Sequence, residues 1–145
     1  MASNLVYVLN GPNLNMLGTR EPHIYGSDTL ADVKTILDAK ALDLDLAIAF
    51  HQSNHEGQIV DWLHEAHEKG ARAVILNAGA LTHTSIAIHD AIKAITVPVI
   101  EVHLSNPHAR EAFRHTSYVA YAAKGTISGF GVTSYILALQ AAANL

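Results

Sequence analysis

Short apolar runs alternate along this chain with stretches in which apolar residues recur at every third or fourth position. The runs fall at 5–9, 46–50, 73–76, 97–102 and 126–130, and their near-continuous apolar content predicts strands buried on both faces. Between the first two, Leu30, Val33, Leu37, Ala41 and Leu44 share one helical face behind a Thr29-x-x-Asp32 start signal. Ile59, Leu63 and Ala66 repeat the pattern behind Ser53-x-x-Glu56, with Gly70 as the stop. Ile88, Ile92 and Ile95 mark a third helix, closed by a strand-initiating Val97-Pro98. Residues 132–143 predict a last helix, apolar nearly all round. Five strand–helix units in series predict an α/β protein with a parallel sheet covered on both sides. At this length the expected form is a flavodoxin-like three-layer sandwich with a five-stranded sheet, in one domain spanning 1–145.

Composition narrows the chemistry. Half of the residues are hydrophobic, so a full core is available and general disorder is excluded. Charged residues make up only 15%, against roughly 25% in an average soluble domain, which predicts surface hidden in an oligomer. A net charge of −4 excludes a generally basic nucleic-acid surface. Cysteine is absent, which removes disulfides, thiolate nucleophiles and Cys-based metal sites. No apolar run approaches the ~18 residues of a membrane span, and the opening Met1-Ala2-Ser3-Asn4 carries no basic leader. A cytoplasmic protein is expected.

Polar residues collect where the strands end, which is where doubly wound sheets bind their ligands. The first run leads into Asn10-Gly11-Pro12-Asn13, the second into His51-Gln52-Ser53-Asn54-His55, and the third into Asn77-Ala78-Gly79 then Thr82-His83-Thr84-Ser85. The fourth carries Glu101 and His103, then Ser105-Asn106-Pro107-His108. One such edge is ordinary turn chemistry. Four edges of amides, imidazoles and hydroxyls predict a pocket for a polyhydroxylated small molecule.

The connection 11–28 exceeds the ~2–6 residues of a plain strand–helix turn and reads as a lid around residues 19–26. It holds Arg20 and Tyr25, and an adjacent cation favours the phenolate of a side chain that ordinarily titrates near ~10. Glu101 and His103, two apart on a strand, share a face, so the carboxylate can orient the imidazole for acid–base work. Ser105-Asn106-Pro107 reads as a helix start suited to a carboxylate, with Arg110 and Arg114 on one face of that helix. The ten histidines offer no metal site: His64-Glu65-Ala66-His67 misses the H-E-x-x-H spacing and reads as a solvated helix face. Phosphate loops and a nucleophile elbow are missing, and none of the five lysines sits on an apolar strand where desolvation would suit Schiff-base chemistry.

Seven blocks in order resemble the type II 3-dehydroquinate dehydratases. They are Asn10-Gly-Pro-Asn-Leu-Asn-Met-Leu-Gly18, Arg20-Glu-Pro-His-Ile-Tyr-Gly26, Gln52-Ser-Asn-His-Glu-Gly57, Asn77-Ala-Gly-Ala-Leu-Thr-His-Thr-Ser85, Glu101-Val-His-Leu-Ser-Asn106, His108-Ala-Arg-Glu-Ala-Phe-Arg114, and Gly129-x-Gly131 followed by Tyr135-x-Leu-Ala-Leu139. The resemblance implies a cofactor-free, metal-free anti elimination of water from 3-dehydroquinate to 3-dehydroshikimate through an enolate, a step shared by shikimate biosynthesis and quinate breakdown. It implies Tyr25 as the base, Arg20 holding it as phenolate, and Asn13 binding the water or enol oxygen. His103 would protonate the departing hydroxyl, with Glu101 orienting it. Asn77, His83, Arg114 and the backbone N–H groups of Leu104 and Ser105 would bind the hydroxyls and carboxylate. Asp90 would reach a neighbouring subunit's site in a homododecamer built as a tetramer of trimers.

Two other classes stay open on the residues alone. One is a flavodoxin-like hydrolase or lyase with another substrate, which would use a different acid–base pair. The other is a non-catalytic sugar- or nucleotide-binding domain, which would have no use for Arg20 and Tyr25.

Overall fold

The computed structural model describes residues 3–19 and 21–145. Five strands, β1 (Leu5–Asn10), β2 (Ala47–Gln52), β3 (Ala73–Asn77), β4 (Val99–His103) and β5 (Gly125–Ser128), form one parallel sheet in the order β2-β1-β3-β4-β5. This is the expected flavodoxin-like order. A one-turn helix, α1 (Pro22–Tyr25), precedes the long helices α2 (Leu30–Asp43), α3 (Glu56–Glu68), α4 (Ile86–Ala94) and α5 (Thr133–Ala143).

Alternation along the strands sorts the core into two layers. Val6, Val8, Ala73, Ile75, Ile100 and Val102 pack with α2 and α5 through Val33, Leu37, Ala138 and Leu139. Tyr7, Leu9, Val74, Leu76 and Val99 face the opposite way, against Ile59 and Leu63 of α3 and Ile88 and Ile92 of α4. The three inner strands are buried on both faces, as predicted. The edge strands β2 and β5 are not: each lacks a neighbour on one side, and most of their residues stay partly exposed.

Element boundaries correct the sequence reading where ends depend on single bonds. Thr29 and Asp32 form the expected reciprocal cap of α2, at 3.1 and 2.9 Å. Ser53 does not cap α3; its Oγ accepts from the His55 N–H at 2.9 Å, which delays the helix to Glu56. Gly70 does end that helix, with φ +63°. Ile95 falls beyond α4 in extended backbone. Val97 lies outside β4, although the Pro98 carbonyl already accepts from Val74 N–H at 2.9 Å. β5 stops at Ser128 because Gly129 turns away at φ +95°, so residues 129 and 130 are not strand. Among the described residues no helix is long and apolar enough to cross a membrane.

Candidate active site

The strand order reverses direction between β1 and β3, and the loops leaving these two strands press together there. Gly11 N–H donates to the Asn77 carbonyl at 2.8 Å. A Cβ on Gly11 would lie 2.4 Å from the Ala78 carbonyl oxygen, and one on Gly79, already at φ +60°, would lie 2.9 Å from that of Pro12. Only glycine allows the two backbones this close.

Above the joint opens a cleft. Asn13 and Leu14 line it from the β1 loop, Tyr25 from α1, Asn77 and His83 from β3 and the turn after it. His103, Leu104, Ser105, Arg110 and Arg114 come from the end of β4 and the two short turns that follow. Asn13, Tyr25, Asn77, His83, His103, Leu104, Ser105 and Arg114 thus share one cleft. Glu101 lies beneath His103 rather than in the wall, Asp90 is exposed on α4 away from the cleft, and Arg20 falls outside the described residues.

His103 is anchored from below. Its Nε2 lies 2.5 Å from the Glu101 carboxylate, which leaves Nδ1 to meet a ligand. Ser117 Oγ donates to the same carboxylate oxygen at 2.7 Å, so Glu101 is held from two sides although buried. His83 Nδ1 donates to the Thr116 carbonyl at 2.8 Å, and a carbonyl can only accept, so Nε2 is the free lone pair. Burial lowers the His83 pKa from its ordinary value, which keeps this ring neutral and accepting. The two imidazoles stack at 6.5 Å. One segment, 116–117, therefore positions both rings, and neither residue was marked in the sequence.

Positive charge gathers opposite. The Arg110 guanidinium sits over the Tyr25 ring, 5.0 Å from its centroid, and donates to Ser105 Oγ at 3.1 Å. Arg114 donates to the Glu111 carboxylate at 3.2 Å. The carboxyl of Glu111 is held below its usual range by its own backbone N–H and by that guanidinium. The expectation of one helix carrying both arginines is corrected: two separate turns, Pro107–Ala109 and Ala112–Arg114, carry them. Pro107 does open the first, with Asn106 Oδ1 accepting from His108 N–H at 3.1 Å. Among the described residues no cluster could hold a metal ion.

The polar edge after β2 does not line the cleft, which corrects the four-edge expectation. It braces the β1 loop instead. Gln52 Nε2 donates to the Gly11 carbonyl at 3.2 Å, and Asn54 Oδ1 accepts from the Asn13 N–H at 3.0 Å. Asn13 is in the left-handed region at φ +70°, a conformation asparagine tolerates, and the brace holds it there.

The family model "Dehydroquinase class II" matches residues 4–143. A 3-dehydroquinate dehydratase of Sinorhizobium medicae is 62% identical over 145 residues, covering 100% of this chain and 97% of its own. One from Rhizobium johnstonii is 61% identical over 140 residues, covering 97% and 96%. The type II dehydroquinase crystal structure from Propionibacterium acnes superposes with a TM-score of 0.94 at 42% identity, over 99% of each chain. That from Butyrivibrio crossotus gives 0.94 at 38% identity, over 97% of each. With a cleft built from the same blocks and a match that runs through nearly every residue, the chain belongs to the class II dehydroquinase family.

Proposed function

We propose that this chain is a single catalytic domain that dehydrates 3-dehydroquinate to 3-dehydroshikimate, by cofactor-free anti elimination through an enolate. The observation that carries this reading is a single cleft lined by Tyr25 under a guanidinium and by His103 backed by a buried carboxylate. Elimination of water beside a ketone needs a base at one carbon and an acid at the next. Tyr25, as phenolate, takes the proton from the carbon beside the ketone. The C–H electron pair moves into the carbonyl, and the oxygen becomes an enolate met by Asn13. Collapse of the enolate expels the hydroxyl, which takes a proton from His103 and leaves as water. Return of one proton from Tyr25 to His103 closes the cycle.

Arg114 and the backbone N–H groups of Leu104 and Ser105 suit the substrate carboxylate, while Asn77 and His83 suit its hydroxyls. Arg20 is assigned the role of holding Tyr25 as phenolate, and Asp90 serves the site of a neighbour. The assembly is a dodecamer of four trimers in the cytoplasm, in keeping with the low charge and with the exposed Phe113, Tyr121 and Phe130. None of the five lysines lines the cleft, so the carbonyl stays an oxygen and its charge is met by hydrogen bonds. The test is direct: purified protein given 3-dehydroquinate should produce the ultraviolet absorbance of the conjugated product. Absence of that signal, or a covalent adduct on borohydride addition with substrate, would overturn the reading.

A further inference from the structure

Tyr135 of α5 does not line the cleft, yet its hydroxyl is hydrogen-bonded to Asn77, which does. Asn10 and Asn77 are neighbours in the β1–β3 ladder. The phenol donates to Asn10 Oδ1 at 2.6 Å and accepts from Asn77 Nδ2 at 2.9 Å. Beyond them, Asn10 Nδ2 donates to the His51 carbonyl at 3.0 Å, and the Gly79 N–H donates to Asn77 Oδ1 at 3.2 Å. The two ends are backbone groups of fixed sense. A carbonyl can only accept, so His51 turns the Asn10 amide with Oδ1 toward the phenol. The single phenolic hydrogen is then committed to Asn10, and only a lone pair is left for Asn77. An N–H can only donate, so Gly79 holds Asn77 Oδ1 from the other side. All three side chains are buried, and no alternative partner competes for these atoms among the described residues.

With Oδ1 on Gly79 and one Nδ2 hydrogen on Tyr135, the second Nδ2 hydrogen of Asn77 is the group left for the cleft that this residue lines. We propose that Tyr135 is a positioning residue: through the Asn10–Tyr135–Asn77 relay it holds the Nδ2 end of the Asn77 amide while the Gly79 N–H holds the Oδ1 end, so that the amide is locked in one sense and the site offers an N–H donor to a substrate oxygen at this point. The assignment of that oxygen to 3-dehydroquinate rests on the function proposed above. Burial keeps the phenol above its ordinary range, so it stays a hydroxyl and the relay keeps its sense at any working pH.

Two measurements test the relay. The first needs no substrate. With asparagine ¹⁵N-labelled protein, the Asn77 side-chain amide, assigned by its loss in Asn77→Ala, should be protected from hydrogen exchange in the parent and unprotected in Tyr135→Phe. The second is a cycle in kcat/KM. Tyr135→Phe should lose about tenfold, the worth of one oriented hydrogen bond, in the parent background and nothing further in an Asn77→Ala background. Asn10→Ala, which leaves the ring and the core in place, should repeat the pattern with a smaller loss and serves if Tyr135→Phe does not fold. Unchanged exchange protection, a loss under twofold, or an equal loss in both backgrounds would each overturn the proposal. No turnover by the parent would instead overturn the function proposed above, with the exchange measurement still deciding the relay.

Discussion

Gly11→Ala is the sharpest probe of how the fold holds the site. The new Cβ would stand 2.4 Å from the Ala78 oxygen, 2.6 Å from its carbonyl carbon and 3.1 Å from its Cα. All three are backbone atoms, so no side chain can swing aside. Ordinary contact begins near 3.4 Å, so the two loops must part by roughly 1 Å. That movement strains the 2.8 Å bond from Gly11 N–H to the Asn77 carbonyl and displaces Asn13 and Asn77 relative to each other. Overpacking of this kind costs about 1–3 kcal/mol. For a chain of this length that is a fall in Tm of roughly 3–9 °C. A 1 Å error between groups that grip one substrate costs on the order of 10²-fold in rate. Gly57→Ala is the control, because nothing lies within 4 Å of its Cβ and it sits in the first turn of α3. There the loss of unfolded-state freedom should raise stability by about 0.4–1 kcal/mol with turnover unchanged. Thermal melts and kcat/KM for 3-dehydroquinate read both variants. If Gly11→Ala melts within 1 °C of the parent and keeps kcat/KM within about twofold, the loops are not held by this joint, and the steric argument is wrong.

Tyr25→Phe and His103→Ala should each lower kcat by about 10²–10⁴, the range of general acid–base groups; near-full activity in either variant removes that assignment. His83 gives a pH dependence of known sign. Its folded pKa is below the unfolded value, so the unfolded chain binds the extra proton first, and stability is lost as pH falls below about 6.5. His83→Gln should therefore lose less Tm than the parent between pH 7 and pH 5; an equal loss would show that burial does not hold this ring neutral. Light scattering on the eluting peak should give about twelve times the 15.5 kDa chain mass, and a fully active monomer would end the dodecamer proposal.

Some of this protein is decided by near neighbours in the chain and so can be read from the sequence. The inner strands are continuous apolar runs, and α2 starts at Thr29 because Asp32, three residues on, completes the cap. Glu101 and His103 share a face because strands alternate every residue. The blocks after β1, β3 and β4 mark the cleft because parallel strands all end on the same side. Where an outcome depends on one competing bond, pattern is not enough: Ser53 spends its hydroxyl on His55 and leaves α3 without its cap.

The tertiary structure alone decides which distant groups meet. The polar end of β2 looks like part of the pocket in the sequence, but the sheet order sets β2 on the outer edge, where Gln52 and Asn54 brace a loop instead. Arg110 reaches Tyr25 because the turns after β4 fold back toward α1, and the segment 116–117 meets Glu101 and His83 by the same return. Tyr135 lies 125 residues from Asn10 and 58 from Asn77, and as a residue of an apolar helix it reads as core. Its hydroxyl acquires a role only when strand order and register set two amides side by side beneath it. Periodicity reports which face a side chain takes. It carries no information on which partner waits there, because that is fixed by layer packing between segments with no sequence proximity.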